Sequence, residues 1–145
     1  MNRNKYNAEM YHDPTPYEAI KNITAEGAKK KYKPLVYICS PYAGDIKHNV
    51  IKAREYSKYA MQKNAIPITP HLLYPQFLDD SNQSEREAGL SAGLVLLTLC
   101  REVWVFGKKL SSGMKAEIRK ANGRNMTIRF FTEQCEEVSK ICGNR

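Results

Sequence analysis

The stretch Ser111-Ser112-Gly113-Met114-Lys115-Ala116-Glu117 places two hydroxyls, a glycine and a carboxylate at what reads as the start of a helix. A helix start presents unpaired backbone N–H groups and the positive end of the helix dipole, so it holds anions, and neighbouring hydroxyls strengthen the site. Gly113 lets a ligand approach the backbone closely, with Met114 in the same turn. The plainer chemistry is capping: Ser111 or Ser112 as N-cap, and Glu117 as a capping-box or dipole-complementing glutamate. Spacing alone leaves both readings open.

A second group lies earlier in the chain. The loop Ser40-Pro41-Tyr42 follows an apolar run, and Tyr42 suits either stacking on a ligand or simple packing. The segment 70–80 is too apolar for a surface loop and too broken by proline for one regular element. Long irregular segments of this kind often act as functional lids. It carries His71, a candidate for binding phosphate or sugar or else a structural histidine. It also carries Asp79 and Asp80, which act as general acids if their loop folds inward and are solvated acids otherwise.

Elements must bring these groups together. Leu35-Val36-Tyr37-Ile38-Cys39 is a short apolar run of the kind buried in parallel sheets. Helical spacing of apolar residues follows over 46–63, then a strand over 65–69 that Pro67 assigns to a sheet edge. A helix is predicted over 85–100 with Ser84 as N-cap, a third strand over 102–107, and a helix over 113–122 ended by Gly123. A fourth strand over 126–131 and a closing helix over 133–142 complete the pattern.

Alternating strands and helices predict an α/β protein, a three-layer flavodoxin- or Rossmann-like fold with a parallel sheet of about four strands. Right-handed crossovers give the order 2-1-3-4, with an N-terminal helical arm over 1–33 (its helix at 17–31) and the main domain over 34–145. In that order the loops after strands 1 and 3 face each other across the crevice where such folds bind ligands.

The totals narrow the function. At 145 residues the chain holds one core, and no apolar run approaches the length of a membrane helix. The polar N-terminus lacks the apolar segment of a secretory signal, so a cytoplasmic protein is expected. The four cysteines form no C-x-x-C pair and the three histidines are scattered, so no metal is expected. Cys39 and Cys100 sit in apolar runs, where a free buried thiol is the common state. The net charge of +8 reads as a solvated basic face suited to a small anionic substrate rather than to nucleic acid, since neither an arginine-rich tail nor an RNA-binding aromatic pattern is present.

The run Ser111 to Ile118, set after Val103-Trp104-Val105-Phe106, resembles the signature of the nucleoside 2-deoxyribosyltransferase superfamily, especially its small bacterial and phage members. Tyr37-Ile38-Cys39-Ser40-Pro41-Tyr42-Ala43-Gly44 and the segment 70–80 resemble the same group, over about residues 34–132 in all. The resemblance implies a flavodoxin-like fold, cleavage of an N-glycosidic bond without cofactor, and Glu117 as nucleophile. A carboxylate beside C1′ traps or stabilises an oxocarbenium-like transition state. Six residues before that glutamate, transferases of free nucleosides carry an aspartate. Ser111 stands here, as in the related nucleoside 5′-monophosphate hydrolases, and a hydroxyl at a helix N-terminus suits a phosphate dianion.

The resemblance thus implies an enzyme hydrolysing or transferring at the glycosidic bond of a nucleoside 5′-monophosphate or deoxynucleoside, working as a homodimer or higher assembly. Ser40, Pro41, Tyr42, His71, Ser111, Ser112, Gly113 and Met114 would bind substrate. Departures from the pattern motivate a second reading. Around Gly93-Leu94 the chain lacks the acidic residue of the glycosidase branch, Arg101 replaces another acid, and the arginine-containing glycine-rich first loop is absent. The alternative is a nucleotide-binding protein that senses or sequesters its ligand without turnover.

Overall fold

The computed structural model describes residues 32–139. The predicted helix at 17–31 and the last six residues lie outside them. Strand β1 (Leu35–Cys39) leads through helix α1 (Ile46–Gln62) to β2 (Ile66–Ile68). A short helix α2 (Pro70–Leu73) and a single 3₁₀ turn (Tyr74–Gln76) precede α3 (Gln83–Leu99). Then follow β3 (Glu102–Phe106), α4 (Ser112–Gly123), β4 (Thr127–Phe131) and β5 (Glu137–Val138).

The sheet order is β2-β1-β3-β4-β5, and the first four strands run parallel as the crossover rule requires. The period-2 alternation of each strand sorts its side chains between two cores. Val36, Ile38, Trp104 and Phe106 join Tyr56 and Ala60 of α1 on one face. Tyr37, Cys39, Val103 and Val105 join Leu97 of α3 and Met114 and Ala121 of α4 on the other. Both faces are covered, which is why β1 and β3 read as unbroken apolar runs. Pro67 sits in the edge strand β2, where its missing N–H costs no ladder bond.

The closing helix is a correction. From residue 133 the chain makes a turn and returns as β5, antiparallel to β4 with Phe131 opposite Glu137. Thr132 is the cause: its Oγ1 accepts from the backbone N–H groups of Gln134 and Glu136, and Cys135 takes a left-handed φ of 63°. Such side-chain bonds offer the backbone an alternative to a helix. Arg129 then draws Glu137 alongside with two hydrogen bonds of 2.8 and 2.7 Å. Helix α3 also begins earlier than expected, because Asn82 rather than Ser84 caps it, accepting from the N–H groups of Ser84 and Glu85.

Cys39, Cys100 and Cys135 are free thiols, the first two buried. Among the described residues no helix is long and apolar enough to cross a membrane, and no cluster of His, Cys, Asp and Glu with metal-binding geometry occurs.

Candidate active site

The segments that follow β1 and β3 line a cavity of about 170 Å³, through Ser40, Tyr42 and Ala43 and through the turn 111–114. Gly107 ends β3 at φ +100°, a conformation that favours glycine, and turns the chain toward α4. Ser111 caps α4, its Oγ accepting from Met114 N at 3.2 Å. Ser111, Ser112, Gly113 and Met114 all line the cavity, so the capping and ligand-facing readings of this turn describe the same residues. An Ala-sized side chain at Gly113 would meet only Ser111 Oγ at 3.9 Å, so the protein itself leaves that space open.

Glu117 follows one turn later, on the face of α4 that buries Met114 and Ala121. Its side chain reaches the cavity floor, where the residue is only 8% exposed. Oε1 accepts a 2.8 Å hydrogen bond from the Tyr37 hydroxyl, whereas Oε2 is buried with no partner. Ser40 Oγ, at the end of β1, is likewise buried and unpartnered on the same wall. Buried polar atoms are almost always hydrogen-bonded, so two orphans on residues that line one cavity are exceptions that point to this site.

The neighbours of Glu117 register its charge. Burial and Glu117 together push the Tyr37 hydroxyl and the Cys39 thiol well above their ordinary ranges, so both stay protonated. Burial pushes the His71 imidazole below the ordinary histidine range, opposed by Glu117, the Ser40 backbone and Asp80. His71 stacks on Tyr42, ring centroids 5.3 Å apart and planes within 11°. Asn49 fixes the Tyr42 loop, its Nδ2 donating to the carbonyls of Tyr42 and Ala43 at 2.9 and 3.0 Å.

The expected residues divide. Ser40, Tyr42, His71, Asp80, Glu117 and the turn 111–114 line one cavity. Pro41 and Asp79 are not on its wall. Asp79 is exposed and accepts from the N–H and Oγ of Ser81, which holds its carboxyl below the ordinary range. Asp80 stands at the mouth, 3.9 Å from Arg86.

The structure adds residues that pattern reading missed. Tyr37 was assigned to the strand core; the signal was a hydroxyl at an inward position, which needs a partner when buried. Helix α3 contributes Glu85, Arg86, Gly89, Leu90 and Gly93, and Tyr74, Pro75 and Leu78 complete the wall. The helix presented two glycines four residues apart, which bare its backbone on one side.

A doubly wound α/β domain with its cavity at the β1/β3 switch point is the class this architecture defines, and its fold is that of the nucleoside 2-deoxyribosyltransferases. The likeness is to a 2-deoxyribosyltransferase from the psychrotolerant bacterium Bacillus psychrosaccharolyticus, with a TM-score of 0.60 at 10% identity over 75% of this chain and 77% of that one. A 2-deoxyribosyltransferase of Leishmania mexicana also matches, with a TM-score of 0.47 at 13% identity over 68% of this chain and 64% of that one. By sequence the chain belongs to the family described as a domain of unknown function (DUF7768), whose model matches residues 34–131. Among curated proteins no relative matches.

Proposed function

We propose that the domain beginning at residue 34 cleaves the N-glycosidic bond of a nucleoside 5′-monophosphate, with Glu117 as nucleophile. One observation carries the reading: Glu117 is buried on the cavity floor with Oε1 held by Tyr37 and Oε2 unpartnered. A carboxylate so held has one oxygen oriented and the other uncommitted. A small turn of the side chain toward the cavity lets it bond C1′ as the C1′–N bond breaks and its electron pair leaves with the base. Water taking up the glycosyl group gives hydrolysis, and a second base gives transfer. No cofactor enters either step.

The choice of a nucleotide over a nucleoside rests on the turn 111–113. It sets free backbone N–H groups and two hydroxyls at the N-terminus of a helix of 12 residues, with no acid in the first turn to repel a phosphate dianion. Self-association, as homodimer or larger, forms part of the reading. Its support is the apolar pair Val95 and Leu99, one turn apart on α3 and both more than half exposed.

Incubation with a panel of nucleosides and their 5′-monophosphates, followed by chromatography, tests the proposal. Free base is expected from at least one monophosphate, faster than from its nucleoside. Tight binding with no base from any compound favours the non-catalytic reading, in which the same cavity senses or sequesters a nucleotide. The observation on that side is that Asp79 is turned to Ser81 and Asp80 is half-exposed beside Arg86, so neither stands as a buried proton donor.

A further inference from the structure

We propose that His71 is the proton carrier of this site: as imidazolium it protonates the departing base, and as imidazole it deprotonates the water that follows. The inference rests on the glycosidase reading above and supplies what that reading lacks, because Glu117 provides only the nucleophile.

A nucleobase leaves poorly as an anion, so a positioned acid must deliver a proton to its nitrogen. Three other titratable groups on the cavity wall are placed differently. The Tyr37 hydroxyl is given to Glu117 at 2.8 Å. Glu85 accepts from the backbone N–H of Asp79 at 2.6 Å. Asp80 is 54% exposed at the mouth, with the guanidinium of Arg86 beside it.

His71 differs from all of these. It stands at the start of α2, its ring laid parallel to Tyr42. Stacking occupies a ring face and leaves the edge, where one nitrogen meets the Ser40 backbone and the other is left for a ligand. The groups that face it are Glu117 from α4, Asp80 from the loop after the 3₁₀ turn, and Tyr42 and the Ser40 backbone from the β1 loop. Both carboxylates favour the imidazolium, but burial outweighs them and favours the neutral ring, so a protonated His71 gives up its proton readily.

The two half-reactions balance around this one group. In the first, a Glu117 oxygen bonds C1′ and the C1′–N bond breaks. The electron pair passes to the leaving nitrogen, which takes the His71 proton. In the second, water oxygen bonds C1′ and its proton passes to His71. The C1′–Oε bond then breaks and returns its pair to Glu117. One water is consumed and both side chains are restored.

The test uses the best nucleotide substrate and the para-nitrophenyl furanoside 5-phosphate of the same sugar, whose phenolate leaves without a proton. His71→Gln is expected to lose roughly 100-fold or more in kcat/KM for base release, yet to stay within about threefold of wild type in the first-turnover burst of para-nitrophenolate. Azide, a nucleophile that needs no deprotonation, is expected to raise the steady-state rate of that variant. Equal losses on both substrates, or none on either, overturn the role of His71 alone. Wild-type protein that releases neither base nor phenolate overturns the glycosidase reading and this role with it. The wild-type enzyme gives an independent readout should the variant fail to fold. Its kcat/KM for base release should fall as pH rises through a midpoint below the ordinary histidine range while phenolate release does not. Parallel profiles overturn the proposal.

Discussion

Tyr37 Oη lies 2.8 Å from Glu117 Oε1, a hydrogen bond between groups 80 residues apart that ties β1 to α4 beneath the cavity. Both residues are buried, at 1% and 8% exposure. Burial and the charge of Glu117 raise the Tyr37 hydroxyl well above its ordinary range, so it remains a donor at every working pH. The bond fixes which carboxylate oxygen is held and which is left without a partner.

Removing that donor separates orientation from binding. Tyr37→Phe is expected to lower kcat for base release by roughly 10- to 100-fold with little change in KM, because the carboxylate stays but is no longer aimed. It should also cost about 1–2 kcal/mol of stability, since Oε1 becomes a second buried oxygen without a donor. Steady-state kinetics and urea unfolding measure the two effects. An unchanged kcat would show that the bond is merely structural.

Glu117→Gln sets activity against stability. With the proposed nucleophile gone, base release should drop by about 1,000-fold or more. The amide keeps an acceptor for Tyr37 and removes a buried carboxyl whose other oxygen is unpartnered, so the thermal midpoint is expected to hold or rise. A variant that still releases base at the wild-type rate removes Glu117 from the chemistry.

The frame of this site was legible in the chain because its signals are local. Apolar runs marked β1 and β3, and Pro67 marked the edge strand. Those assignments alone set the 40–42 loop against the 111–113 turn. What escaped was contact between distant positions. The partner of Tyr37 comes from a helix 80 residues on, which no local pattern reports. The end of the chain failed for a related reason. The segment from 133 reads as a closing helix, but Thr132 closes a turn with its own side chain, and Arg129 on β4 supplies the tertiary contact that favours a strand.

That contact makes a pH prediction. Arg129 donates twice to Glu137, stands 3.7 Å from Glu102 and lies 4.8 Å from the Trp104 ring centre. Arg129→Ala should cost about 1 kcal/mol, a small figure because both partners are partly solvated. The guanidinium holds the Glu137 carboxyl below its ordinary range. A depressed carboxylate contributes stability that is present above its unfolded pKa and lost as pH falls through its folded one. The gap between wild-type and variant urea midpoints should therefore be full at neutral pH and shrink below the carboxylate range. A gap independent of pH assigns the effect to packing on Trp104 instead.

Gly93 tests where the substrate sits. It is the buried glycine at which α3 passes β1: a Cβ there would stand 3.4 Å from Tyr37 Oη and 3.7 Å from Pro70 Cβ. Those are ordinary contacts, and alanine is favoured over glycine in a helix by about 1 kcal/mol, so Gly93→Ala should keep or slightly raise the thermal midpoint. Gly93 also lines the cavity. Every atom added beyond Cβ must therefore enter the cavity or push Tyr37 from Glu117. Gly93→Leu is expected to lower kcat/KM for base release by about 100-fold or more, because displaced catalytic geometry and lost room act together. Calorimetric titration with the same nucleotide distinguishes them. Lost affinity locates the nucleotide against α3, whereas full affinity with lost turnover places the damage at the Tyr37–Glu117 pair. Wild-type kinetics in Gly93→Leu would mean that the substrate lies elsewhere on the protein.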